Sequence, residues 1–173
     1  MTLLTAADVG QVLVEHGWLP ADPEPSADGA RQAWLERAAD LLGPYAAERA
    51  SLTDLLALIF NYDAAALLRE PAGQAVLSRE GSRDVIRELA HRVLDTEHID
   101  SDRFKEIIQG IKAAIPQRSR GLLDPVRLAL AGRAGEGELD RVILLLDPAA
   151  KLEFTTVVKG TRRRMLEFCA ALD

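Results

Sequence analysis

Cysteine, aromatic residues and long apolar runs are all scarce in this 173-residue chain, and each shortage removes a class of protein. The single cysteine, Cys169, cannot close an intramolecular disulfide, and no Cys or His lies near it at zinc-ligand spacing. It reads as an inert thiol at the apolar end of a helix. No apolar stretch approaches the ~20 residues of a membrane helix, and residues 1–5 lack the charged start and long apolar centre of a signal peptide. No membrane contact is expected, and a reducing cytoplasm is the expected compartment. The only three histidines, His16, His91 and His98, form no i, i+4 pair, so no metal site is predicted. Residues 95–102 are rich in acid but lack the ligand ladder, central glycine and closing glutamate of an EF-hand, and they read as a solvated capping loop. The glycines of 132–137 follow a helical pattern rather than a strand and lack the lysine and Ser/Thr of a P-loop, which makes them a helix–helix turn. No catalytic residue and no cofactor are expected.

What the chain does have is apolar and charged material, 48% and 28%, enough for a packed core with a solvated surface. Apolar residues recur at spacings of three and four and almost nowhere alternate, so the predicted class is all-α. Thr5 and Asp8 form a capping box ahead of Val9, Val12, Leu13 and Val14, predicting a helix to about Gly17. Pro20, Pro23 and Pro25 open a loop. Helical patterns follow over 30–42, from a second box at Ser51–Asp54 through Phe60, over 64–69, and over 84–94 with Ser82 as its cap. Further patterns cover about 103–115, 122–131 and 139–146. The last helix is predicted to start at Pro148, with Phe154, Val157, Val158, Met165, Phe168 and Leu172 as its stripe and Gly160 as a bend. The expected architecture is an irregular bundle of roughly nine helices in two packed subdomains, 1–95 and 96–173.

Charge is unevenly spread. The net charge is −6, which excludes a uniformly cationic surface. Residues 1–60 hold nine Asp and Glu against three Arg, a balance of −6. Residues 103–133 hold seven Lys and Arg against Glu106 and Asp124, a balance of +5. Such a stretch of helix ends and turns can reach phosphates, or it can be an ordinary solvated face laced with intrahelical ion pairs. Its candidates for nucleic-acid contact are Lys112, Arg118, Arg120, Arg127 and Arg133. Aromatic residues are only 5% of the chain and none lies between Phe104 and Phe154, so stacking on bases has little support in that stretch.

The segment Leu122-Leu-Asp-Pro-Val-Arg-Leu-Ala-Leu-Ala-Gly132, followed by Leu139 and Val142-Ile-Leu-Leu-Leu146, resembles the C-terminal signature of bacterial glutamyl-tRNA synthetases. Pro125, Arg127, Ala129, Leu130 and Gly132 match that signature, whereas Ala131 replaces its threonine and Asp147 stands where its last glycine is usual. Upstream, the segments beginning at Thr5, Trp34, Ser51 and Asp102 resemble the family's preceding helices in order and spacing. The resemblance implies an all-α anticodon-binding domain whose partner is tRNA or a related RNA, with Arg127 at a family position. That arginine has two readings: an RNA contact, or a pin between helices. Neither His-Ile-Gly-His nor Lys-Met-Ser-Lys-Ser occurs, so the chain is not expected to activate glutamate alone. Two alternatives accompany this reading: an adaptor that kept the fold and lost RNA binding, and the tRNA-binding half of a split synthetase with a separate catalytic partner.

Overall fold

A computed structural model describes residues 4–21, 29–115 and 122–172. It is all-α: ten α-helices and one 3-10 turn occur among the described residues, with no strand. In chain order they are α1 (Ala6–Glu15), α2 (Ala30–Leu42), the 3-10 turn Gly43–Tyr45, α3 (Arg49–Phe60), α4 (Ala64–Arg69), α5 (Pro71–Leu77), α6 (Ser82–Leu94), α7 (Ser101–Ala114), α8 (Leu123–Ala131), α9 (Gly137–Ala150) and α10 (Thr161–Leu172). Helices α2 and α3 pack on α9, with α1 resting on α2. On the other side α8 packs between α6 and α9, and α10 closes over α4, α6 and α8. No helix among the described residues is long and apolar enough to cross a membrane.

Local rules account for many helix ends. The predicted capping box is present: Asp8 N–H donates to Thr5 Oγ1, and the Thr5 N–H donates back to Asp8 Oδ2 at 2.9 Å. Asp63 and Asp100 cap α4 and α7 by accepting from Ala66 and Arg103 N–H. Pro71 interrupts α4 but also starts α5, at a first-turn position where a missing N–H costs nothing. Two predicted caps are displaced. Helix α3 begins at Arg49, so Ser51 lies inside its first turn, and Glu48 takes the cap position. Gly81 rather than Ser82 is the cap of α6, because the Ser82 hydroxyl turns inward and donates to Val76 O at 2.7 Å.

The C-terminal region differs most from expectation. Pro148 lies within the last turn of α9, which continues to Ala150, and α10 starts only at Thr161. Phe154, Val157 and Val158 therefore belong to a connecting segment. Phe154 stands edge-on to Trp34 and Phe60, whereas Val157 is 68% exposed. The start of α10 is set by a tertiary contact: the buried Asp147 carboxylate accepts from Thr161 N–H at 2.8 Å and from the Thr161 hydroxyl, and also from Ile99 N–H at 2.6 Å. Gly160 is not a bend but a close approach, since a Cβ there would stand 2.8 Å from Asp147 Oδ1.

The polar centre of the bundle is Arg164, fully buried on α10. Its guanidinium donates to three main-chain carbonyls: Lys159 O at 2.8 Å, Leu130 O at 2.9 Å and Ile59 O at 2.7 Å. Ile59 and Leu130 lie in the last turns of α3 and α8, where carbonyls lack intrahelical donors and the helix dipole is negative. The cation also stands over the Tyr62 ring, 4.4 Å from its centroid, and the Tyr62 hydroxyl donates to Ala129 O at 2.6 Å. Burial pulls Arg164 down to about 10, so it remains charged at neutral pH, and burial pushes the Tyr62 phenol well above its ordinary range. Among the described residues no buried side-chain polar atom lacks a partner.

Arg164→Ala is expected to lower unfolding free energy by about 3–5 kcal/mol in urea titrations, because it leaves buried carbonyls without a donor and opens a void. Tyr62→Phe, which removes the hydroxyl but keeps the ring, should cost only about 1 kcal/mol. A pH effect is expected at α1. The Thr5 backbone N–H and hydroxyl hold the Asp8 carboxyl below the usual carboxylate range. The contribution of the box is therefore complete above that range and lost as pH falls through the lowered value. Amide exchange across Val9–Leu13 should accelerate on acidification beyond its intrinsic pH trend, and Asp8→Ala, which removes the titrating carboxyl, should abolish that excess.

Candidate nucleic-acid interface

Helix α8 and the turn after it carry the most specific part of the sequence pattern. Every residue from Pro125 to Ala131 is buried, so α8 is enclosed on all sides rather than lying on the surface. Arg127 goes inward with the rest. It is 8% exposed, and its Nε and Nη2 donate to the two carboxylate oxygens of Asp140 at 2.9 and 3.0 Å, while Nη1 donates to Gly135 O at 2.6 Å. This two-pronged pair raises the Arg127 pKa above its ordinary value, chiefly through the hydrogen bonds that the Asp140 carboxylate accepts. Mechanically it clamps the start of α9 onto α8 and fixes the turn between them. Gly132 makes that turn possible: it closes α8 at φ +100°, a left-handed conformation that side chains resist.

The other predicted contact residues distribute as follows. Arg133 is exposed directly after Gly132. Lys112 is exposed in the last turn of α7, where a cation suits the negative helix end. Arg118 and Arg120 lie outside the described residues. Helix α8 has nine residues and so spans about 13 Å, which separates the turn bearing Arg133 from the beginning of the helix. The turn itself is not uniformly cationic, because Glu136 precedes α9 and Glu138 and Asp140 sit in its first turn. Arg103, counted in the +5 stretch, is engaged by Thr96 and Glu106.

One arginine outside that stretch in sequence lies at the start of α8. Arg79, in the turn between α5 and α6, pairs with Asp124 at 2.6 Å. Together with Arg83 it lines a cleft of about 570 Å³ that also includes Gln74, Ser78 and Leu172. Charge counted along the chain misses such a juxtaposition, since only tertiary packing brings residue 79 to residue 124. Among the described residues no group of His, Cys, Asp and Glu is arranged to hold a metal ion.

This arrangement is matched by a family model. Residues 9–152 fit the family described as the anticodon binding domain. The chain belongs to that family. Glutamate–tRNA ligase from Geobacillus stearothermophilus is 28% identical over 141 residues, covering 82% of this chain and 27% of the ligase. The glutamate–tRNA ligase of Geobacillus thermodenitrificans (strain NG80-2) aligns with the same identity and coverage. The chain thus spans about a quarter of the length of these curated relatives. No solved structure matches it. The anticodon-binding domain seen here is all-helical, as the resemblance implied, and the fit to the family model includes the whole α8–α9 unit.

Because Arg127 is enclosed and doubly paired, Arg127→Ala should destabilise the domain by about 3 kcal/mol by leaving Asp140 without its partner. Arg127→Lys keeps the charge but not the planar fork and should recover only part of that loss. Chemical denaturation of both variants checks the order.

Proposed function

We propose that this chain binds tRNA, or a related RNA, as a domain of the glutamate–tRNA ligase type, in the cytoplasm and without activating glutamate on its own. The observation that carries this reading is the match of residues 9–152 to the anticodon binding domain family, supported by alignment to two glutamate–tRNA ligases over 82% of the chain. The cations proposed to meet phosphates are Lys112, Arg118, Arg120 and Arg133. Arg127 is proposed to act from beneath by holding the turn that presents Arg133, since its guanidinium faces Asp140 and Gly135 rather than solvent. Recognition of this kind is mainly electrostatic, with little base stacking, because the aromatic cluster of Trp18, Trp34, Phe60 and Phe154 is engaged within itself.

A second reading is favoured by one observation, the acids around the α8–α9 turn: Glu136 and Glu138 oppose phosphate approach at Arg133. In that reading the domain is an adaptor that docks a protein, a separate synthetase catalytic chain being one such partner.

A filter-binding titration with bulk tRNA separates the two. Four phosphate contacts on single-stranded RNA predict a slope of about −3 in log affinity against log salt. Reversing Lys112 and Arg133 to Glu together should weaken binding and flatten the slope to about half. Absence of binding at low salt, or binding indifferent to these reversals and to Arg118→Glu with Arg120→Glu, would overturn the RNA reading.

A further inference from the structure

Helix α1, the end of α2, the 3-10 turn and the beginning of α3 enclose a groove of about 890 Å³. Its floor is apolar, with Val12, Ala39 and Leu52 among its lining, and its rim carries the carboxylates of Asp8, Asp40 and Glu48. The one cation on the rim, Arg49, is held by Glu15 at 2.6 Å. Asp40 and Glu48 make no ion pair or side-chain hydrogen bond among the described residues. Asp40 lies in the last turn of α2, toward the negative pole, and that turn holds no basic residue.

We propose that this groove docks a basic amphipathic helix of a protein partner, its apolar stripe on the floor and its Lys or Arg heads at Asp8, Asp40 and Glu48. Charge complementarity argues for the sign: the lining holds the three carboxylates of Asp8, Asp40 and Glu48 against one cation, Arg49, a balance of −2. Its walls argue for a helix. They are helices and a 3-10 turn, so an extended peptide finds no strand edge with which to pair, whereas a helix satisfies its own backbone. The same charge repels RNA phosphates, and the inference does not rest on the RNA reading.

The test uses a fluorescein-labelled, end-capped 18-residue peptide with Leu at i, i+3, i+4 and i+7 spacing and Lys on the flanking positions, titrated with the full chain by anisotropy. Saturable binding is expected, weaker by at least tenfold for a scrambled peptide of the same composition and for one with Glu in place of Lys. Asp40→Lys with Glu48→Lys should weaken binding at least tenfold while leaving the melting temperature equal or higher, a combination that loss of structure does not produce. Ala47→Trp, at an exposed lining position, should plug the groove with a similar loss. Peptide-induced amide shifts should centre on residues 4–12 and 39–52. Equal binding of the scrambled peptide, indifference to these substitutions, or shifts centred elsewhere would overturn the proposal. A chain that ignores the peptide but dimerises in sedimentation, with dimerisation lost on Ala47→Trp, would also overturn it and assign the groove to a second copy.

Discussion

A single buried cation without a carboxylate partner organises the meeting of three helices. Arg164 satisfies main-chain carbonyls in the last turns of α3 and α8 and in the segment leading into its own helix, and it rests on the face of Tyr62. Two helix C-termini directed into an apolar interior would otherwise combine unsatisfied acceptors with converging negative dipole ends. A planar guanidinium answers both at once, because its donors diverge in one plane and its charge has the required sign. The position of α8 depends on this contact. So does the turn that follows α8, which the Arg127–Asp140 pair then holds to α9.

This dependence bears on what a run of positive charge means. Of the seven cations in residues 103–133, Arg127 is enclosed in protein and Arg103 bridges Thr96 and Glu106, whereas Lys105, Lys112 and Arg133 face solvent. Arg79, outside the run, meets Asp124 at the start of α8. A balance of +5 along the chain is therefore not a +5 surface. The acid excess of the first sixty residues, by contrast, does reach the surface in part, where Asp8, Asp40 and Glu48 rim an apolar groove. The α8–α9 turn lies close to this groove, since a Cβ at Gly137 would stand 3.4 Å from the Tyr45 hydroxyl of the 3-10 turn.

Much of the fold is legible in the order of residues. The period of three and four residues identifies the class, the 30–42 pattern coincides with α2, and the Thr5–Asp8 box is present as read. These features depend on neighbours within one or two turns. The misplacements share the opposite property. Ser82 has the chemistry of a cap, yet its hydroxyl finds Val76 O across the preceding turn. Pro148 has the chemistry of a helix start, but the segment after Ala150 is drawn to Trp34 and Phe60 through Phe154, and α10 waits until Asp147 can seat Thr161. Arg127 and Arg164 look alike in sequence to any exposed arginine. Nothing short of the packing of α8 and α10 distinguishes them.

Asp147 gives the outer limits of the domain a different meaning. Similarity to the family model stops at residue 152, within the connection after α9. The carboxylate of Asp147, however, is held from both directions, by Ile99 upstream and by Thr161 downstream, and the carbonyls of Ile59 and Leu130 look to Arg164. A boundary drawn where the resemblance fades would leave a buried anion with half its donors and two helices with bare ends. The segment that matches the family model and the unit that physics holds together do not end at the same residue, and here the second is longer by one helix.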